Sequence, residues 1–178
     1  STDSIILDFG VGWGRIIRFF AKDIEENNLF GVDVDPEILK MALSLRVPGN
    51  LLCIEPLGKL PVQDKFFDII YAFSVFSHLS ENSAIHWLHE IIRVLKPGGT
   101  FIFTTMTNWF LNLCLSCKNK KGEKNSYEEI YSAMFQDPKS AIRAYKRGEH
   151  VYAATGGNSK VLSKENYGWA AIPPNFIK

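Results

Sequence analysis

Residues 5–20 read IILDFGVGWGRIIRFF and carry the clearest structural signal in this chain. The apolar start of this stretch predicts a buried strand, its three alternate glycines predict a tight turn, and its amphipathic end predicts a helix that starts at the turn. Glycine suits such a turn because a backbone that closely approaches a ligand has no room for a Cβ. A strand, glycine turn and helix at the carboxyl edge of a parallel sheet are typical of nucleotide-binding α/β proteins. The stretch therefore predicts an adenosine-containing cofactor.

The spacing of the glycines indicates which cofactor is expected. Dinucleotide-binding proteins use G-x-G-x-x-G and rest a pyrophosphate on the helix N-terminus. This chain has Gly10, Gly12 and Gly14, and Arg15 stands where the third dinucleotide glycine would be. Asp8, two residues before the first glycine, would repel a pyrophosphate and suits a cationic ligand.

An acid followed by G-x-G-x-G is the first motif of the class I S-adenosylmethionine-dependent methyltransferases, and this chain resembles that family. The resemblance implies that Gly10, Gly12 and Gly14 line the methionine and ribose part of the cofactor. It places Asp8 below them, near the amino-acid end.

A second acidic motif follows at the expected distance. Residues 29–36 read LFGVDVDP, a short apolar strand that ends in acids roughly 20 residues beyond the glycines, where an acid meets ribose hydroxyls in such folds. By resemblance, Asp33 is the ribose ligand and Val34 flanks the adenine. Asp35 and Pro36 predict the N-cap and first residue of a helix. The alternative interpretation makes both acids ordinary strand-end and capping residues.

A third motif is the apolar run of residues 66–79, FFDIIYAFSVFSHL, which predicts a strand buried on both faces of a parallel sheet. Ser80 then starts an amphipathic helix that runs to Leu95, and the LKPGG sequence ends it before the next strand. In the family, the end of this fourth strand faces the transferable methyl group. The resemblance covers about residues 4–106. The full set of predicted cofactor-binding residues is Asp8, Gly10, Gly12, Gly14, Asp33, Val34, Glu55, Phe73 and Ser74.

These motifs predict an α/β, Rossmann-like, doubly wound and mainly parallel sheet, with helices on both faces and a helical lid insertion. Residues 1–106 are expected to form the S-adenosylmethionine-binding core, with strands 1–5 of the seven-strand methyltransferase sheet. Residues 107–178 are expected to form a lid on the substrate side, which leads towards a missing sixth strand. In the lid, Ser126 predicts a capping box and Asp137 the N-cap of a helix that runs to about Arg147. The chain is interpreted as truncated at both ends.

Composition limits the classes of partner. The chain has 178 residues, 46% of them hydrophobic and 22% charged, which predicts a folded domain with one substantial core. A net charge of +1 gives no reason to expect nucleic acid or an anionic membrane. Neither a secretory signal nor a membrane span is recognised, so the predicted location is cytoplasmic. An exposed sheet edge leaves a homo-oligomer open. Cys114 and Cys117 have C-x-x-C spacing without a second pair of ligands, so no metal site is predicted.

The cofactor implied by the resemblance predicts the chemistry. A sulfonium methyl is transferred by an in-line SN2 step to an O or N atom, and a general base assists where the acceptor must lose a proton. The candidate bases are His78, after the fourth strand, and His150, in the lid. The aromatic lid favours a small-molecule acceptor, with a sugar-like molecule among the candidates.

Two other functions stay open from the sequence alone. The first is an NAD-binding or nucleotide-sugar-binding Rossmann oxidoreductase domain, which would need the glycine that Arg15 replaces. The second is a methyltransferase-like module that binds the cofactor without catalysis. The identity of the acceptor cannot be read from the residues.

Overall fold

A five-stranded parallel sheet forms the centre of the computed structural model, which describes residues 2–157 and 161–177. Its order is β3-β2-β1-β4-β5, so the chain reverses direction across the sheet between β1 and β4. A crevice opens at such a switch point, at the carboxyl ends of the strands. This confirms the predicted Rossmann-like α/β class. The strands are β1 (Ile6–Phe9), β2 (Leu29–Asp33), β3 (Asn50–Cys53), β4 (Phe67–Ala72) and β5 (Leu95–Phe103).

The helices begin at polar caps that the sequence makes recognisable. Asp35 accepts a hydrogen bond from the amide of Glu37, Ser80 from that of Ser83, and Asp137 from that of Lys139. The predicted starts after these three residues are therefore confirmed. The α-helices are α1 (Ile17–Phe20), α2 (Pro36–Ser44), α3 (Glu81–Val94), α4 (Asn108–Asn119), α5 (Ser126–Ala133) and α6 (Pro138–Lys146), and the 3₁₀ turns span Glu26–Asn28 and Pro174–Ile177.

Hydrophobic clusters cover both faces of the sheet. The larger cluster joins Leu7 and Ile70, both fully buried, to Trp87 on α3. The cluster on the other side includes Ile17 of α1 and Leu39 of α2. Burial of apolar side chains on two faces fixes the sheet between helices and holds the strand ends in register at the crevice.

Two local predictions differ from the structure. The helix after the glycine turn has only the four residues Ile17–Phe20. Its start is delayed because positive φ angles at Gly10, Gly12 and Gly14 interrupt helical geometry, and the chain stays in turns through residue 16. The capping box of α5 begins one residue earlier than predicted, since Asn125, not Ser126, exchanges hydrogen bonds with Glu128. Both residue types serve as N-caps, and each is followed three residues later by a glutamate, Glu128 or Glu129, so the local pattern does not distinguish the two starts.

The lid contains a small antiparallel sheet that was not predicted. Strands β6 (Val151–Ala153) and β7 (Trp169–Ala171) are antiparallel, and Gly156 and Gly157 lie in the segment between them. Three residues are too few for an alternating pattern to be recognised. Phe110, Leu111 and Cys114 of α4 pack on this sheet and give the lid its own hydrophobic cluster. Across the described ranges, no helix has the length and apolar character that crossing a membrane requires.

Candidate functional site

The glycine turn between β1 and α1 combines internal packing with open space. Gly10, Gly12 and Gly14 all have positive φ, between 54° and 83°. A Cβ on Gly10 would collide with Val75, and one on Gly14 would collide with Val47. A Cβ on Gly12 would meet only one side-chain atom, at 3.7 Å. The outer glycines therefore allow close packing within the protein, whereas Gly12 leaves its space free for a ligand.

The carboxylate of Asp33 ties this turn to the end of β2. Its Oδ2 accepts a hydrogen bond from the amide of Gly12 at 2.8 Å, and its Oδ1 accepts one from the amide of Asp35 at 3.0 Å. Burial raises the pKa of Asp33, and the negative charge of Asp35 adds to the rise. A carboxylate has about four lone-pair positions, so this one can still accept hydrogen bonds from a ligand.

Two cavities meet at the carboxyl ends of β1 and β4. The larger, about 230 Å³, extends from Gly10 to Asp33 and Val34 at the end of β2. The smaller, about 140 Å³, contains Asp8 and Gly12. Gly10 and Phe73 line both cavities, so the two are adjacent. Together they form an elongated site, which we call the crevice.

Asp8 is almost completely buried, with 3% of its surface exposed. Burial raises the pKa of its carboxyl to about 7, and the negative charge of Asp33 adds to the rise. The nearby Tyr71 hydroxyl and the Ile17 backbone favour the ionised form and offset part of this effect on the pKa. A positive charge beside this carboxyl would favour its ionised form.

Helix α3 fixes the floor of the larger cavity. The indole of Trp87 lines this cavity and donates a hydrogen bond to the carbonyl of Pro56, which lines it too. Further along α3, Glu90 accepts a hydrogen bond from the amide of Leu60 and forms an ion pair with Arg93. These contacts hold the loop after β3 in place. Trp87, the seventh residue of α3, was not predicted as a site residue.

The wall opposite the strand ends comes from residues 161–171, which we call the strap. Tyr167 and Asn166 line the larger cavity. The strap is bound to the loop after β4 because Gly168 donates a backbone hydrogen bond to His78 and Asn166 accepts one from Ser80. No local pattern indicated this wall, because its partners lie far away in the chain.

His78 is held between the strap and β4. Its Nδ1 lies 2.8 Å from the carbonyl oxygen of Gly168, which can only accept, so Nδ1 carries the proton. Its Nε2 is left as a base, 3.4 Å from the hydroxyl of Ser74. The ring stacks on Tyr167 at 4.9 Å and contacts Trp169 edge-on. Burial lowers the pKa of His78, which keeps the ring neutral.

A third cavity lies beside this imidazole, outside the crevice. Its volume, about 410 Å³, exceeds that of either cavity of the crevice. His78 and Trp169 line it, together with Asp35 and Tyr167, which also line the larger cavity. Tyr167 thus separates two neighbouring cavities. We call the third one the side cavity.

The remaining predicted residues fall into two groups. Phe73 and Ser74 lie on the crevice, and Ser74 has the unusual φ of 60° for a residue with a side chain. Gly14, Glu55 and His150 do not line the crevice or the side cavity. His150 packs against Phe176, burial lowers its pKa to about 4, and its role as a base stays a prediction.

A family model described as a methyltransferase domain matches residues 7–103, more than half of the chain, so the chain belongs to this methyltransferase family. The match spans β1 to β5 and includes the glycine turn, Asp33 and the end of β4. The residues present fit the family's cofactor, S-adenosylmethionine. The open space at Gly12, the free lone pairs of Asp33 and the two adjacent cavities match a ligand with a ribose in its middle.

Three curated relatives illustrate the range of the family. The chain is 38% identical over 104 residues to an uncharacterized methyltransferase of Schizosaccharomyces pombe. This alignment covers 53% of this chain and 37% of that protein. It is 30% identical over 114 residues to a glycine/sarcosine/dimethylglycine N-methyltransferase of Actinopolyspora halophila, in an alignment that covers 58% of this chain and 19% of that protein. It is 29% identical over 107 residues to a tRNA (carboxymethyluridine(34)-5-O)-methyltransferase of Arabidopsis thaliana, in an alignment that covers 60% of this chain and 24% of that protein.

Among solved structures, an S-adenosylmethionine-dependent methyltransferase from Mesorhizobium loti superposes with a TM-score of 0.52 at 21% identity. The superposition covers 61% of this chain and 49% of that protein, and it supports the shared fold. The chain therefore spans about half or less of the length of these four proteins.

Proposed function

We propose that the protein transfers a methyl group from S-adenosylmethionine to an O or N atom of a small molecule that enters the side cavity. The observation that carries this proposal is the hydrogen bond from Nδ1 of His78 to the carbonyl of Gly168. That bond fixes the tautomer and leaves Nε2 as the proton acceptor, at a cavity next to the crevice. When bound, S-adenosylmethionine supplies an electrophilic methyl group on its sulfonium.

The residues of the crevice would hold and orient the cofactor. Asp33 would accept hydrogen bonds from the ribose hydroxyls, and Val34 would pack beside the adenine. Gly12 would let the backbone approach the ligand, Gly10 would line the crevice beside it, and Phe73 and Ser74 would border the reacting centre. Such fixed positioning supplies roughly 7–11 kcal/mol towards a barrier when the reacting atoms are aligned.

His78 would act as the general base. Its Nε2 would take the proton that a hydroxyl or ammonium acceptor loses, and Tyr167 stacked on the ring would keep it in place. Because burial lowers the pKa of His78, the ring would stay in its basic form at neutral pH. A positioned base contributes typically 10²–10⁴-fold in rate.

The side cavity would favour an uncharged or cationic acceptor. Asp35 is the acid that lines it, no Lys or Arg belongs to the lining among the described residues, and His78 is neutral. The faces of Tyr167 and Trp169 would bind either the apolar face of a sugar or an amine. An anionic acceptor would meet no positive charge among the described residues of this lining.

One relative is named as a tRNA methyltransferase, so a nucleic-acid acceptor is the main competing substrate class. The proposal favours a small molecule because the chain has a net charge of only +1. A protein that neutralises several phosphates needs a cluster of cationic side chains along one surface.

The test compares His78→Asn with the wild type. Asparagine keeps an N–H that can donate to Gly168 and removes the Nε2 base. Methyl-labelled S-adenosylmethionine is incubated with a panel of amines, sugar alcohols, carboxylates and bulk tRNA, and labelled products are counted. We expect transfer to an amine or hydroxyl compound, with turnover reduced at least about 100-fold in the variant.

Two further variants complete the comparison. His89→Gln, at an exposed histidine on α3, is the control and is expected to keep turnover within about threefold of the wild type. His150→Gln tests the other predicted base, and a loss confined to this variant would assign the base to His150 instead. Transfer only to tRNA, or full activity of His78→Asn, would contradict the proposal.

A further inference from the structure

We propose that the hydroxyl of Ser74 relays the proton of the methyl acceptor to Nε2 of His78. The proposal rests on the proposed methyl transfer, with His78 as its general base. It gives Ser74 a chemical role in that reaction, as the group that connects the reacting centre in the crevice to the base beside the side cavity.

The imidazole of His78 does not line the crevice itself. Ser74 lines the larger cavity of the crevice, whereas His78 lines the side cavity and neither cavity of the crevice. The hydroxyl oxygen of Ser74 lies 3.4 Å from Nε2 of His78. Of the described residues that line the crevice, Ser74 is the one that hydrogen-bonds this nitrogen. A proton that leaves an acceptor atom in the crevice therefore has a path to the base through this hydroxyl.

Neighbouring strands hold the backbone of Ser74 in a strained conformation. Its φ of 60° lies in the left-handed region, which residues with a Cβ rarely adopt. Its amide donates to the hydroxyl of Thr104 at 2.7 Å, and the amide of Thr104 donates to the carbonyl of Ala72 at 3.1 Å. The ends of β4 and β5 thus enforce this conformation together. Backbone strain of this kind is concentrated at functional sites, where surrounding contacts maintain it.

A tight turn brings the imidazole next to the serine. The amide of His78 donates to the carbonyl of Val75 at 2.8 Å, and the side chains of Ser74 and His78 meet across this turn. Nδ1 of His78 carries the proton that is donated to Gly168, so Nε2 can only accept. Ser74 is consequently the donor in its contact with His78. The lone pairs of its hydroxyl remain able to accept a hydrogen bond from an acceptor molecule.

Two protons move in the proposed step, and Ser74 ends it unchanged. As the acceptor atom forms its bond to the methyl carbon, the carbon–sulfur bond breaks and its electron pair goes to the sulfur. The proton of the acceptor passes to the hydroxyl oxygen of Ser74, while the proton already there passes to Nε2 of His78. The imidazole becomes cationic and later releases its proton to water in the side cavity. The separation of 3.4 Å is long for proton transfer, and we expect it to shorten once an acceptor fills the crevice.

The first measurement follows the imidazole without cofactor or acceptor. The nitrogen NMR resonance of Nε2, assigned by its loss in His78→Asn, reports hydrogen bonds to this atom. We expect Ser74→Ala to move the resonance downfield, because the nitrogen loses its donor. Ser77→Ala is the matched control, since Ser77 is buried in the same loop and its hydroxyl has no hydrogen-bond partner within the described ranges. An identical Nε2 resonance in the wild type and Ser74→Ala would overturn the proposal.

The second measurement is turnover with the acceptor that the wild type methylates. We expect Ser74→Ala to lower kcat by at least about tenfold, because the base is disconnected, and Ser77→Ala to leave it unchanged. Ser74→Gly relieves the strained φ and should show the same loss as Ser74→Ala, which separates the hydroxyl from the backbone. Because Ser74 and His78 act in series, the double variant Ser74→Ala/His78→Asn should be no slower than His78→Asn.

The outcomes distinguish this proposal from the proposed function. Full turnover of Ser74→Ala or Ser74→Gly, with His78→Asn impaired, would overturn the relay while the methyl transfer and its base stood. Losses that multiply in the double variant would also overturn the relay, because they would show that Ser74 and His78 act independently. Full turnover of His78→Asn would overturn the base and the relay together. Circular dichroism checks that each variant is folded.

Discussion

At the scale of single residues, Asp8 and Asp33 show how position changes the behaviour of one side-chain type. Each lies near the carboxyl end of an apolar strand, Asp8 in β1 and Asp33 in β2, and both are beside the glycine turn. Asp33 is anchored by backbone amides that stabilise its charge, whereas Asp8 is buried at 3% exposure. The pKa of Asp8 therefore rises to about 7, because desolvation penalises the ionised form.

This shift predicts a dependence of stability on pH. Between pH 4 and pH 7 folded Asp8 keeps a proton that the unfolded chain has lost, because its pKa rises from 3.8 to about 7 on folding. The free energy of unfolding should therefore fall as the pH rises through this window and then level off. The contribution is at most about 4 kcal/mol, from a shift of roughly three pH units.

Asp8→Asn tests this prediction, since asparagine resembles the protonated acid. Urea unfolding of both proteins without cofactor at pH 4.5, 6 and 7.5 gives the comparison. We expect similar stabilities at pH 4.5 and a more stable variant at pH 7.5. Other titrating groups are common to both proteins and cancel in the difference. Parallel pH profiles would show that Asp8 is already ionised in the folded protein.

At the scale of elements, the strap connects the lid to the core. Gly168 and Ala170 donate backbone hydrogen bonds to the carbonyls of His78 and Ser77. Asn166 adds a side-chain contact, because its Oδ1 accepts a hydrogen bond from the buried Ser83 hydroxyl at 3.2 Å. Lid and core therefore meet at the crevice wall.

We predict that Asn166→Ala loosens this wall without unfolding the protein. The Ser83 hydroxyl would lose its partner on the strap, at a cost of about 1 kcal/mol, while the backbone bonds of the strap remain. Cofactor affinity should fall by about three- to tenfold and the melting temperature by a few degrees. Asn175→Ala, at an exposed position, is the control. A lower melting temperature with unchanged affinity would mean that the strap does not contact the cofactor.

At the scale of the whole molecule, β5 lies at one edge of the sheet, and Ile102 on this strand is 57% exposed. An edge strand with exposed apolar side chains is a template for pairing with another chain. Phe101 and Phe103, on the opposite face, pack on Phe76 in the core. The apolar side chains of β5 are thus packed against the core on one face of the strand and exposed on the other.

We therefore predict that the chain self-associates through this edge. Sedimentation velocity at increasing concentration should show association for the wild type and much less for Ile102→Lys, because a charge on an edge strand opposes pairing. Ile130→Lys on α5 is the matched control, since Ile130 is 53% exposed in the lid. A monomeric wild type, or equal effects of the two substitutions, would refute this prediction.

Much of the core could be predicted because its signals are local. A glycine turn, an acid at a strand end and an N-cap each act over a few residues, so their geometry follows from the residues themselves. The short α1 could not be predicted, since the length of the turn depends on Gly14 packing against Val47. The strands of the lid were missed because each has only three residues and is stabilised by its pairing partner.

Local sequence patterns were enough to predict the family, its cofactor and three residues that line the middle of the crevice, Gly10, Gly12 and Asp33. Which wall closes the crevice and which nitrogen of His78 carries the proton became visible only in the folded chain. The tautomer of His78 depends on Gly168, 90 residues further along the chain. Arg15 is aligned by Phe73, on a different strand end. Such contacts arise when distant segments pack together, and no local pattern of residues records them.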